Sequence, residues 1–297
     1  MFLISYGGFT QDFKGFQLYN ASIPLPEIKD GGPGKDGIPA IDAPRFIKAS
    51  QARLKNKDRV LGVFENGIAK AYPILILNYH EIVNDRFEDK PVVVTYCPLC
   101  GSGMAFDGIV GDKTLTFGVS GLLYNSDVLL YDRETESLWS QLESKAVSGP
   151  MLGSPLHFLN TANTTWKNWK KQHPETLVLS DQTGFFRDYT KDPYPGYDTS
   201  SSIYFSVSHS DTRFHPKEMV LGLEIEGHFK AYPFSELEKN RETIIEDSFQ
   251  GKVLRIIYNN EAKSAEIFDS ANNTIPAVTN FWFAWYTFHP NTEVYFH

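Results

Sequence analysis

A chain of 297 residues is long enough for one large or two modest domains with a sizeable core. With 41% hydrophobic and 22% charged residues it has the composition of a folded globular protein, which excludes a disordered chain. A net charge of −8 leaves no basic footprint, so no nucleic-acid partner is expected.

No apolar run approaches the roughly 18–20 residues of a membrane span, so no transmembrane segment is expected in this chain. The opening Met1-Phe2-Leu3-Ile4-Ser5-Tyr6-Gly7-Gly8 lacks the basic start and full apolar stretch of a signal peptide. Both cysteines lie in one C-x-x-C, which excludes a disulfide framework. Residues 1–57 read as an N-terminal arm and a short helix. The arm contains the turn-rich Asp30-Gly31-Gly32-Pro33-Gly34-Lys35-Asp36-Gly37, and Asp42 is placed to cap a helix through about Ala52.

A first repeat spans 58–180. Val60-Leu61-Gly62-Val63-Phe64-Glu65-Asn66-Gly67-Ile68-Ala69-Lys70-Ala71-Tyr72-Pro73 predicts a β-hairpin, after which proline opens a short helix. The same pattern returns 160 positions later as Val220-Leu221-Gly222-Leu223-Glu224-Ile225-Glu226-Gly227-His228-Phe229-Lys230-Ala231-Tyr232-Pro233, with eight of fourteen residues identical. A β-branched strand follows each copy, Pro91–Tyr96 and Lys252–Tyr258. Each half also closes alike. Trp166 and Trp169 precede His173-Pro174, and Trp282 and Trp285 precede His289-Pro290, so each Trp pair marks one helix face that the His-Pro step ends. Residues 181–217 read as a crossing loop and 218–297 as a second, degenerate repeat. The expected fold is α+β, predominantly β: two related β-rich repeats with few short helices, packed as one body.

The difference between the copies points to chemistry. The first strand ends Tyr96-Cys97-Pro98-Leu99-Cys100-Gly101-Ser102-Gly103, and the second Tyr258-Asn259-Asn260-Glu261-Ala262, without cysteine. His80 follows the first hairpin and has no counterpart near Lys239-Asn240-Arg241-Glu242. Three readings stand. Cys97 and Cys100 on a tight turn are a metal knuckle, with His80 as imidazole ligand and Met104, Asp85 or an open position completing the set; such soft ligation suits copper or zinc. Alternatively they are a metal-free redox dithiol, although Gly101-Ser102-Gly103 is poor helix material and argues against a thioredoxin fold. In the third reading they are two small buried residues of a non-catalytic binding module. A second patch, Gly118 to Asp127 followed by Tyr131-Asp132-Arg133 and Leu138-Trp139-Ser140-Gln141, interleaves polar and aromatic residues as small-molecule sites do. The competing reading pairs Asp132 with Arg133 and puts Trp139 in the core. His157, His209, His215, His228 and His297 are isolated and read as surface or core. No P-loop, G-x-G-x-x-G, G-x-S-x-G or H-E-x-x-H occurs, so no nucleotide cofactor is indicated.

Several of these strings carry a resemblance: Ile38-Pro39-Ala40-Ile41-Asp42, Ala71-Tyr72-Pro73, Leu77-Asn78-Tyr79-His80-Glu81-Ile82-Val83-Asn84-Asp85, Thr95-Tyr96-Cys97-Pro98-Leu99-Cys100, Ser120 through Asp127, and Leu138-Trp139-Ser140-Gln141. They resemble the domain-of-unknown-function family 3179 over about 38–240. The resemblance implies an exported or membrane-anchored setting. It directs attention to His80, Cys97 and Cys100 with Tyr124, Asn125, Asp132, Trp139 and Gln141 around them. A metal-binding protein, a redox metalloenzyme among the options, is the leading expectation.

Overall fold

The computed structural model describes residues 11–18, 20–242 and 244–297. The opening stretch Met1–Gly8 lies outside them. Among the described residues the chain is mostly β, with four short α-helices: α1 (Ile74–His80), α2 (Trp166–Gln172), α3 (Phe234–Leu237) and α4 (Trp282–Phe288). The five larger sheets have four or five strands each and sit in a propeller-like arrangement.

Two of these sheets are built alike. Arg59–Glu65 and Ile68–Pro73 form a hairpin with Val60 opposite Pro73, and Met219–Ile225 and His228–Pro233 form one with Val220 opposite Pro233. In each, a later strand joins the first hairpin strand antiparallel (Thr161–Thr165; Ala277–Phe281) and another joins the second strand parallel (Leu177–Leu179; Glu293–Val294). The packing reason lies in the glycines. A Cβ at Gly62 would fall inside the Trp169 ring, and one at Gly222 inside the Trp285 ring, so each indole lies flat on a bare strand. Each indole N–H donates to a threonine seven residues on, Trp169 to Thr176 and Trp285 to Thr292, both at 2.9 Å. As expected, α2 and α4 end at His173 and His289, and each imidazole packs on its tryptophan, at ring centroids 4.1 and 4.2 Å apart.

Prolines 73 and 233 immediately precede α1 and α3, whose turns hand the chain to neighbouring sheets starting at Ile82 and Ile244. A buried ion pair recurs at this joint. Lys70 bonds both Asp85 oxygens at 3.0 and 2.8 Å with the Tyr72 hydroxyl at 2.5 Å; Lys230 meets Asp247 at 2.6 Å with the Tyr232 hydroxyl at 3.0 Å. The largest hydrophobic cluster runs across the molecule, joining Cys97, Cys100 and Met104 to Phe281, Trp282 and Trp285. Two polar ties reinforce it: Phe281 N–H donates to Cys100 O at 2.8 Å, and the Arg59 guanidinium to Ala262 O at 2.5 Å.

The helix expected from Asp42 to about Ala52 is absent. Phe46–Lys48 is a strand that pairs with Leu177–Leu179. The Asp42 carboxylate accepts from Asn84 Nδ2 at 2.7 Å and pairs with Arg133 at 2.8 Å instead of capping a helix. Arg133 therefore pairs with Asp42 rather than with Asp132. The segment between Leu179 and Met219 contains no helix or strand, and it crosses over the cysteine turn as a strap.

Candidate metal centre

The strand Lys90–Cys97 is buried along nearly its whole length and delivers Cys97 at its end. Pro98 and Leu99 make a tight turn closed by Cys100 N–H donating to Cys97 O at 3.2 Å. Gly101 follows at φ +62, and a Cβ there would meet the Phe281 ring at 3.0 Å, so both conformation and space require glycine. The chain then returns as Ser102–Asp107, a strand and not a helix. Gln141 braces this turn from below. Its amide donates to Thr95 Oγ1 at 2.8 Å and its oxygen accepts from Ser102 Oγ at 2.6 Å, so one fully buried side chain ties the strand entering the turn to the strand leaving it.

The facing wall is the hairpin Phe117–Tyr124 and Asp127–Asp132. Its two-residue turn, Asn125-Ser126, has positive φ at both positions, 52° and 67°, the geometry of a type I′ turn. Asparagine tolerates that region; serine is strained there. The strap holds the turn: Asn125 Oδ1 accepts from the Ser208 N–H and hydroxyl, both at 2.8 Å. The turn aims the Ser126 carbonyl at the two thiols, 3.9 Å from Cys97 Sγ and 3.4 Å from Cys100 Sγ. Asp127 comes next. One ligand atom from each of Cys97, Cys100 and Asp127 lies within 4.8 Å of the other two, and all three residues are buried. Asp127 Oδ2 accepts from the Leu142 N–H at 3.0 Å, while Oδ1 has no hydrogen-bond partner.

Burial opposes negative charge on every group of the cluster. Burial pushes the Cys97 thiol up and the Cys100 thiol well up. Burial also raises the Asp127 carboxyl to about 7, against the opposing Leu142 N–H. Beside it Glu81 is 7% exposed and is raised to about 8, first by burial and then by the Asp127 charge. Cys97, Cys100 and Asp127 thus share one buried cluster in which burial disfavours the charged form of each. The nearby Lys217 ammonium, whose field favours the Cys100 thiolate, is bonded only to the Ser200 and Ser202 carbonyls, at 3.4 and 2.6 Å, and lies 3.9 Å from the Tyr197 ring centroid. A cleft of about 350 Å³ reaches the site's edge at Tyr96, Pro98, Tyr194 and Tyr197.

The residues singled out in the sequence divide into three groups. Cys97 and Cys100 are together. Gln141 and Asn125 support them, as the turn brace and the strap anchor. The others are elsewhere. His80 stands outside the group: its Nδ1 lies 2.7 Å from Pro39 O and its Nε2 2.5 Å from the Tyr189 hydroxyl. Burial lowers its pKa, and both ring nitrogens are already occupied by these two partners. Asp85 is consumed by Lys70 and Tyr72, a contact that the cysteine-free half repeats. Met104 packs in the main core, and Tyr124 is half-buried edge-on to Phe288. Asp132 accepts from the Trp139 indole N–H at 2.8 Å and from Thr135, making a structural corner. Asp127 went unnoticed although it closes the quoted string Ser120–Asp127.

The family model described as "Protein of unknown function (DUF3179)" matches residues 35–274, most of the chain. The chain belongs to the DUF3179 family. The matched span includes every residue of this centre. No curated protein and no solved structure matches this DUF3179 chain significantly. Among the described residues no helix is long and apolar enough to cross a membrane.

Proposed function

We propose that this protein binds a metal ion, copper or zinc by class, through the Cys97 and Cys100 thiolates and the Asp127 carboxylate. The observation that carries the reading is the convergence of these three buried ligand atoms, with Asp127 Oδ1 unsatisfied. A bound ion supplies positive charge beyond that of the single Lys217 ammonium nearby, and it converts costly buried anions into ligands. The tight turn, the glycine and the Gln141 brace hold the sulfurs in place before the ion arrives, the arrangement that second-layer contacts give to metal ligands. The thiol–disulfide alternative is weakened by the same environment. A nucleophilic thiol needs a lowered pKa from a helix N-terminus or nearby cations; here burial first and the Asp127 carboxyl after it raise both thiols, and a strand follows. We read the two alike sheets as an internal duplication in which only the first copy carries the centre. Equilibrium dialysis of metal-free protein against zinc, repeated with Cys97→Ser and Asp127→Asn, tests the reading. One tightly held ion per chain is expected, with the variants losing at least tenfold in affinity. Equal, negligible uptake by all three would refute it.

A further inference from the structure

We infer that the cleft beside the cysteine turn is a binding site for a small organic monocarboxylate, held by the Tyr96 hydroxyl and the Arg59 guanidinium. Six of the described tyrosines are buried: Tyr72, Tyr96, Tyr131, Tyr197, Tyr232 and Tyr258. Four of them give the hydroxyl to a carboxylate, Tyr72 to Asp85, Tyr131 to Asp36, Tyr232 to Asp247 and Tyr258 to Glu238. Tyr96 and Tyr197 do not, and both line this cleft of about 350 Å³. The Tyr197 hydroxyl is sealed in without a hydrogen-bond partner. Tyr96 is only 9% exposed, and its hydroxyl makes no hydrogen bond among the described residues. A buried phenol normally has a partner, and an acceptor bound in the cleft supplies one.

The second half of the chain shows what such a tyrosine takes. Pro233 corresponds to Pro73 at the start of the short helix, and Tyr258 to Tyr96, each one residue before the end of its strand. Glu238, just past that helix, accepts from the Tyr258 hydroxyl at 2.9 Å and pairs with Lys263. The matching position of the first half is Asn78, whose amide is turned to Asp192 at 3.1 Å. Asn78 brings no carboxylate, so a cleft stands where the second half is closed by its own acid. A cation is also in place. Arg59 lines the cleft and pairs with no carboxylate among the described residues. Its Nη1 and Nη2 donate to Ala262 O and to Asn163 O and Oδ1, which leaves part of its donor fork free. Burial lowers the guanidinium to about 10, so it is charged at neutral pH, and burial keeps the Tyr96 phenol protonated. A hydroxyl and a cation are what Tyr258 and Lys263 present to Glu238. Ile74, Leu75, Pro98 and Phe281 add apolar wall for a hydrocarbon body. Asp58, Asp192 and Asp198 outnumber Arg59 and Lys57 along the cleft, which disfavours a multiply charged anion such as phosphate. Asp192 is already engaged by Asn78 and the Tyr194 N–H, and Asp58 by the Lys55 N–H.

Ligand-observed NMR titrations of the full chain with benzoate and with hexanoate, each against its neutral amide, test this. The chain is kept metal-free, so failure of the ion-binding reading at Cys97 and Cys100 leaves the outcome readable. Both acids are expected to bind at millimolar concentration or below, and the amides at least tenfold more weakly. Tyr96→Phe removes one donor to a charged group and should weaken the acids about tenfold. Asn78→Glu gives the first half the carboxylate of the second and should abolish binding. Tyr258→Phe, outside the cleft lining, should change it less than twofold. Acids and amides binding alike would mean that no anion is recognised and would overturn the inference. So would no binding of either acid, an unchanged affinity in Tyr96→Phe, or a matching loss in Tyr258→Phe. Circular dichroism and thermal melting check that the variants fold; should Asn78→Glu not fold, Tyr96→Phe, which deletes a single oxygen, decides the matter.

Discussion

Removing the Asp85 carboxylate separates scaffold from site. In Asp85→Ala the Lys70 ammonium stays buried, with side-chain exposure of only 8%, and loses two carboxylate contacts at 2.8 and 3.0 Å. Breaking a buried pair from one side costs about 3–5 kcal/mol. Part is recovered, because the ammonium keeps the Arg86 carbonyl at 2.7 Å and the Phe46 and Phe87 rings at 4.3 and 4.5 Å, which together offset about 1 kcal/mol. The net expectation is a loss of about 3 kcal/mol. The matching change, Asp247→Ala, should cost less, about 1–2 kcal/mol, since that carboxylate is 17% exposed and water can reach the freed Lys230. Urea unfolding followed by tryptophan fluorescence measures both. With a slope of about 3 kcal/mol per molar, the midpoint should drop by about 1 M for Asp85→Ala and by about half that for Asp247→Ala. Bound zinc per folded chain should be unchanged in both. Equal losses would refute the burial argument, and a zinc-free Asp85→Ala protein would return Asp85 to the ligand set.

Three further outcomes are expected. Gln141→Leu leaves the Thr95 and Ser102 hydroxyls unpaired, so it should lower stability by about 1–3 kcal/mol and weaken zinc binding about tenfold, read by melting and by chelator competition. Because both thiols are raised above their ordinary range and Asp127 titrates at about 7, zinc binding at pH 7 should expel about two to three protons; calorimetry in buffers of different ionisation enthalpy measures this, and release of one proton or fewer would contradict the assigned ligands. His289, stacked 3.9 Å from Phe229, is held neutral by burial with its pKa lowered to about 3. An unfolded chain takes up that proton near its ordinary 6.5, so stability should fall as pH drops from about 6.5 towards 3, by at most about 1.4 kcal/mol per pH unit. In His289→Phe that share of the acid slope should vanish, and an unchanged slope would contradict the assignment.

Much of the frame was legible because it is written in local pattern. The duplicated Gly-containing hairpins, the Ala-Tyr-Pro exits and the Trp-x-x-Trp helices closed at His-Pro all depend on neighbours a few residues apart. The absence of a helix after Cys100 was equally readable from Gly101-Ser102-Gly103. The ligand set was not, for a geometric reason. His80 lies near the cysteines in sequence, but its ring is claimed by Pro39 and Tyr189, partners that lie 41 and 109 residues away. Asp127 reads as an ordinary strand start until the Asn125-Ser126 turn folds it against a loop 27 residues earlier. Asp42 had the right type to cap a helix, and tertiary partners, Asn84 and Arg133, claimed its carboxylate instead. The hold of the segment between Leu179 and Met219 on the Asn125-Ser126 turn is not written in local pattern, because it rests on contacts such as Ser208 to Asn125 that span more than eighty residues.

X-ray absorption at the zinc edge of the loaded protein addresses the central assignment most directly. The account predicts two sulfur scatterers at about 2.3 Å with oxygen scatterers at about 2.0–2.2 Å and no imidazole pattern. A first coordination sphere showing histidine, or no sulfur, would contradict it.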